Sequence, residues 1–499
     1  MFKRILKSIT ALGAGHGVQT LTQLLLPPVF IAAYGVQGYG EWLALSAAVG
    51  YLTTLDFGLQ TYVLNELTTL YHRNDLEAFH RVQAVGLRLT LGFVVIGAVA
   101  SSVAFFLPVA QLLKLSNTQG GGQVVFCLAL QILASIPLGQ ILGIYRTFGE
   151  AHRGVMWGNY YRLILLAVTL GLALLRAPFW LIAFGQFLAV ALVLISAVFW
   201  LRMSRPDVCP RLNYWDAKLA KNILKPSGFF GLFIINNFLV FQAPVLMLQR
   251  FLGPEIVVVF SVGRTLFSFA RQGIGLFQQA VYPELARLHV AGTRDGFVRL
   301  YVLFEAAVLT AVLVINTGLL LMSPTLLWLW LKKPQLFELQ TFTFVMLASA
   351  VTSVKDFKMN FQSATNNHEK AGVASLFSYI LMIIAFVPAI RWFGMVGFLV
   401  TWLGFEALQL FIVHSYNTQL FNRRREISLR PTRRLGLVLC VLVLLVASSR
   451  SLLQSNHYLW QGVVAVSAMA ILAAVSYFAF DLREVLLEGK AQLLRIKAG

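Results

Sequence analysis

Charge is scarce in this 499-residue chain, since Asp, Glu, Lys and Arg make up only 12% of it, about half the share of a soluble domain. Acidic residues are the scarcer kind, 20 against 40 Lys and Arg. Hydrophobic residues reach 58%, more than a water-soluble core can hide, so the composition excludes that class. Cysteine is nearly missing. Cys127, Cys209 and Cys440 stand far apart with no metal or redox spacing, which excludes a disulfide framework and a zinc site and leaves them as packing or loop residues. No metal-ligand, nucleophile–base or phosphate-loop motif occurs, and no loop on the expected outer side is long enough to carry catalytic groups. Enzymatic activity and a bound cofactor are therefore not expected. Alternating strand patterns are lacking too, which excludes a membrane barrel.

What the chain has in abundance is apolar runs, each long enough to cross the roughly 30 Å of a bilayer core as a helix. They cover 9–33, 42–64, 83–108, 123–145, 155–175, 178–201, 227–249, 256–280, 301–322, 339–361, 371–390, 394–416, 435–452 and 458–480. The expected fold class is an all-α polytopic membrane protein of about 14 transmembrane helices. Pro108, Pro178, Pro226, Pro254 and Pro324 punctuate them. The N-terminal Lys3, Arg4 and Lys7 precede an apolar run too long for a signal peptide, which reads as a retained first span. The net charge of +20 follows the membrane and does not point to nucleic acid. With alternating loops assigned to two sides, 27 of the 40 Lys and Arg fall on the side of the N-terminus and 7 on the other. Both termini are then expected in the cytoplasm. The basic loop 202–225 and the tail from Leu482 read as anchors touching anionic membrane lipids.

The stretch Tyr34–Val82 occurs twice. A shift of 218 positions pairs Gly35 with Gly253, Gln60 with Gln278, Glu66 with Glu284, Phe79 with Phe297 and Arg81 with Arg299. The same shift lays Gly154-Val155 on Gly372-Val373 and Gln19 on Asn237. One constant offset at separated places indicates an internal duplication. Because it covers six spans it preserves orientation, giving two parallel six-helix lobes, 1–205 and 206–420, with 421–499 adding two helices and a basic tail.

A charged side chain at mid-bilayer costs about 2.5–3.5 kcal/mol on insertion scales, which makes retained ones functional candidates. Arg264 and Arg271, seven residues apart in span 256–280, share a face with Ser268 and Gln278 and are expected to contact an anionic substrate. Pairing with Asp56, Glu305 or Glu406 is the alternative. Lys355 and Lys358 either meet substrate, snorkel to the interface or pair with Asp356. Arg162 is a further candidate, whereas Arg88 lies near a span end and is expected to snorkel. His16, Gln19 and Gln23 form a polar face on the first span for sugar hydroxyls or for helix–helix contacts, with Asn237 at the repeat position of Gln19. Asp56 and Glu305 are candidate ion-coupling carboxylates, Asp56 having helix termination or pairing with a cation as its alternative.

At Y34GVQGYGEW and D56FGLQTYVLNE the chain resembles the polysaccharide-transport, or O-antigen, flippases of the multidrug/oligosaccharidyl-lipid/polysaccharide exporter superfamily. These have a glycine-rich first outer turn and a D-F-G-L segment ending helix 2. The resemblance implies translocation of a polyprenyl-pyrophosphate-linked oligosaccharide from the cytoplasmic to the outer leaflet of a bacterial inner membrane. It also implies work beside a polysaccharide polymerase and chain-length machinery. A multidrug/cation antiporter is a second reading, disfavoured by the lack of an acidic residue in the first span. A membrane-embedded polymerase or ligase is a third. Moving negative charge outward is favoured by about 2.3 kcal/mol per charge per 100 mV, so ion coupling is not required.

Overall fold

The computed structural model describes residues 2–56, 58–116, 120–290, 294–364, 369–420, 432–455, 457–480 and 482–483. Phe57, most of the basic loop after span 394–416 and the tail beyond 483 lie outside them, as do the side chains of Glu284, Phe297 and Arg299. The described residues are helical with no strand. In order come α1 (Phe2–Val49), α2 (Leu59–His72), α3 (Leu76–Ser102), the short α4 (Val109–Leu112), α5 (Gly121–Thr147), α6 (Ala151–Leu174), α7 (Phe179–Ser204) and α8 (Ala217–Phe241). Next are α9 (Ala243–Leu252), α10 (Pro254–Val290), α11 (Arg294–Leu331), α12 (Leu339–Ala364), α13 (Glu369–Leu420), α14 (Thr432–Ser448), the short α15 (Arg450–Leu453) and α16 (Tyr458–Ala479). Among the described residues eight helical segments are long and apolar enough to cross a membrane, and two of these, Thr10–His72 and Lys370–Gln419, are long enough to hold two spans. The chain is thus a multi-pass membrane protein, and it divides into two compact units, Met1–Val258 and Val259–Gly499.

The duplication is written into the backbone. Gly35 (φ 75°, ψ 175°) breaks α1, and its repeat partner Gly253 (φ 94°, ψ 174°) separates α9 from α10 in the same conformation. Only glycine tolerates that region without strain. The offset also pairs Lys114 (φ 51°) with Lys332 (φ 55°), and Arg176 (φ 52°) with Gly394 (φ 58°), which kinks α13. Three turns on each side of one shift share a left-handed residue, as copies of one ancestral bundle would.

The second expected span, 42–64, is not a single helix. Between Gly50 and Asp56 the chain tightens into a 3₁₀ turn, and Gly58 (φ 69°) restarts it as α2. Gly50 fits against Gln242, between α8 and α9, where an added Cβ would come within 2.8 Å of the side chain. Thr53 and Thr54 turn their hydroxyls back to the carbonyls of Gly50 and Tyr51, at 2.8 and 2.6 Å, which loosens the helical ladder. The counterpart stretch of α10 runs on as unbroken helix. Within the first unit, α5 packs on α3, α6 and α7, and α8 packs on α2 and the 3₁₀ turn. The core there runs from Leu59, Val63 and Leu67 through Phe79 and Tyr145 to Val193, and includes Val208 of the loop after α7. In the second unit, α12 packs on α11 and α13, while α16 lies along α11.

Candidate functional site

Within the first unit, α1, α2, α5 and α6 line an open cavity of about 500 Å³. Its polar wall comprises His16 and Gln19 from α1, Gln60 from α2, Arg146 from α5, and Asn159 with Arg162 from α6. His16 and Gln19 stand three residues apart, as do Asn159 and Arg162, so each pair shares a helix face. Glycines make the room. An added Cβ at Gly15 would lie 2.8 Å from Asn159 Oδ1 and 3.5 Å from an Arg162 nitrogen, so α1 admits both polar groups only by lacking a side chain there. Gly154 brings α6 so close to α5 that its Cβ would sit 2.2 Å from the Leu142 carbonyl. Gly158 instead fronts open space, with nothing nearer than 4.0 Å.

Two residues in this wall are held and the rest are available. The Asn159 amide donates to the Ala11 carbonyl at 2.9 Å, while its oxygen has no partner among the described residues. Arg146 donates to Asn65 Oδ1. His16, Gln19 and Arg162 are exposed. The charged side chains of the described wall are both guanidinium groups, with no carboxylate among them. An anion about 4 Å from one guanidinium gains about 4 kcal/mol at an effective dielectric near 20, comparable to the cost of keeping that charge in the membrane. Neutral amides and an imidazole beside it can bind hydroxyls.

His16, Gln19 and Arg162, all expected from the sequence, therefore come together. Gln23, half-buried, lies outside this wall, and Asn237 is exposed on α8. Arg88 donates to the Leu212 carbonyl of the loop after α7. Asp56 Oδ1 accepts the Gln60 backbone N–H at 3.2 Å, a capping contact for the first turn of α2. Arg146, Gln60 and Asn159 were not picked out as site residues. Arg146 directly follows span 123–145, where a basic residue is common at a membrane edge, and Asn159 stands three residues before Arg162.

The second unit treats its buried charges differently. Lys358 is fully buried and pairs with Glu305, with the Tyr301 hydroxyl 3.1 Å from its Nζ. Lys355 Nζ lies 2.6 Å from Glu406, 2.6 Å from the Tyr379 hydroxyl and 3.4 Å from Gln409 Oε1. The partner of Lys355 is therefore Glu406 and not its neighbour Asp356, because consecutive helical residues point in different directions. Glu305, a candidate for ion coupling, already holds a lysine. Arg264 lies over the Phe260 ring, 5.3 Å from its centroid, and the charge of Arg271 acts on Asp356. Gln278 is buried and donates to the Ser353 carbonyl at 3.2 Å, tying α10 to α12.

No family model and no curated protein matches the chain. Solved structures do. An inward-facing conformation of a multidrug resistance MATE family transporter of the MOP superfamily matches at TM-score 0.62 and 13% identity, over 81% of this chain and 98% of that one. An outward-facing conformation of a multidrug resistance MATE family transporter of the same superfamily matches at TM-score 0.51 and 15% identity, over 84% and 96%. At such identity the likeness defines the fold, which is that of the MATE transporters. The particular cargo has to be argued from the side chains of this chain.

Proposed function

We propose that this protein is a flippase that carries a polyprenyl-pyrophosphate-linked oligosaccharide from the cytoplasmic to the outer leaflet of a bacterial inner membrane. Its termini stand in the cytoplasm and a polymerase takes up the product. The observation that carries this reading is the cavity of the first unit, whose charged groups are Arg146 and Arg162 and whose remaining polar groups suit sugar hydroxyls. A pyrophosphate supplies the negative charge that two guanidinium groups recognise through charge-assisted hydrogen bonds. The prenyl chain stays in lipid. Alternating access of two repeats about a membrane-normal axis supplies the movement, and Arg264 and Arg271 form a second cationic contact on the route.

The fold likeness to multidrug transporters supports a second reading, efflux of cationic drugs. A wall with two arginines repels such cargo, which is why the anionic cargo is preferred. The test is polymer export in cells carrying R146A/R162A or R264A/R271A. Loss of export at unchanged protein level supports the flippase. Wild-type export by both variants, with resistance to cationic dyes lost on deletion of the gene, transfers the assignment to drug efflux.

A further inference from the structure

Lys355 in the second unit is buried with its ammonium among side-chain oxygens. Its Nζ sits among three acceptor oxygens from the two halves of α13, either side of the Gly394 kink: Glu406 Oε2 at 2.6 Å, the Tyr379 hydroxyl at 2.6 Å and Gln409 Oε1 at 3.4 Å. Thr352 donates to the same Glu406 oxygen at 3.1 Å, and Tyr379 reaches the other at 3.3 Å. Gln409 turns its oxygen toward the ammonium and leaves its own Nε2 without a partner among the described residues. Glu406 is 1% exposed and Gln409 1%. A buried all-oxygen cage with one carboxylate is the donor set of a monovalent cation site, and here an ammonium on a four-carbon tether stands at its centre.

The repeat sharpens the point. The offset of 218 places Pro137 where Lys355 stands and Leu188 where Glu406 stands, while Tyr161 answers to Tyr379. The first unit has the tyrosine and neither charge, so the pair belongs to the second unit alone.

We propose that Lys355 is a resident cation: its ammonium permanently occupies a monovalent-cation site built from Glu406, Tyr379 and Gln409. The second unit therefore cycles without taking up Na⁺ or a proton at Glu406. This holds whatever the cargo is, and goes beyond the function proposed above. The charged and titratable groups facing Glu406 among the described residues are Lys355, Tyr379 and Asp356, the last also under the charge of Arg271.

The experiment is thermal unfolding of the purified full-length protein in detergent, in choline chloride against NaCl at equal ionic strength and at pH 8 against pH 6. The wild-type midpoint should be the same in choline and Na⁺. K355M should fall by several degrees in choline at pH 8 and recover part of that loss, saturably, with Na⁺ or on acidification. K355M/E406Q should unfold near the wild-type temperature and respond to neither. A wild-type midpoint that rises saturably with Na⁺ and loses that response in E406Q overturns the proposal. So does a K355M protein equally unstable, or equally unrecoverable, in every medium.

Discussion

The Lys358–Glu305 pair offers the cleanest test of how this protein handles charge inside the membrane. Lys358 has no exposed surface and the Glu305 side chain is 4% exposed, so neither charge has water to fall back on. Removing one partner leaves the other buried and uncompensated, at a cost of about 3–5 kcal/mol. Removing both exchanges a desolvated ion pair for apolar contact, which in buried settings is neutral or stabilising by about 1–4 kcal/mol. The repeat shows the exchange is sterically reasonable, since Leu87 stands at the position of Glu305 and is buried there. Tyr301 would keep a partner in the double variant, because the Asn417 amide donates to its hydroxyl at 3.3 Å. We therefore expect K358M and E305L each to be strongly destabilised and K358M/E305L to return to within about 1 kcal/mol of the parent. Equilibrium unfolding in mixed micelles, followed by tryptophan fluorescence, gives all three values. Neutral single variants, or a double variant carrying the sum of both losses, would mean that Lys358 and Glu305 are not a coupled buried pair.

Other perturbations test the repeat and the cavity. G35A and G253A should each cost about 1–3 kcal/mol of backbone strain, because an added Cβ meets nothing within 4 Å at either site and φ alone opposes it. Gly13 is as open but helical, so G13A should stabilise by up to about 1 kcal/mol, and the same unfolding assay reads the difference in sign. G158F should fill the first unit's cavity from its open side, abolishing export while leaving the midpoint of unfolding near that of the wild type.

Much of this architecture could be read from the amino acids alone, because apolar length and the placement of Lys and Arg respond directly to the bilayer. Each of the fourteen expected spans coincides with helix over most of its length, and the offset found from Gly35 and Gly253 reappears as matching backbone angles. The break at Gly50–Gly58 was less accessible. Its end was marked locally, by Asp56 as a helix stop and by the turned-back hydroxyls of Thr53 and Thr54, but its start at Gly50 is where Gln242 packs, almost two hundred residues away. The same limit applies to the lysines. Asp356 is the sequence neighbour of Lys355, but the partner that tertiary packing delivers is Glu406, half a hundred residues on, and for Lys358 it is Glu305. Polar residues on one helix face, such as His16 with Gln19, were legible as a stripe. The α6 face with Asn159 that completes the cavity was set by the glycine contacts between α1, α5 and α6.

Movement of an anionic lipid-linked glycan by the arginine-lined cavity can be followed in liposomes holding purified protein and a fluorescent polyprenyl-pyrophosphate-linked oligosaccharide, scoring the label that becomes inaccessible to an added membrane-impermeant quencher. We expect wild-type protein to move the probe without a Na⁺ or proton gradient, R146A/R162A to reduce the rate at least tenfold, about 1.4 kcal/mol of lost interaction, and ethidium not to be carried. Equal rates for the two proteins, or transport of ethidium in place of the lipid, would contradict it.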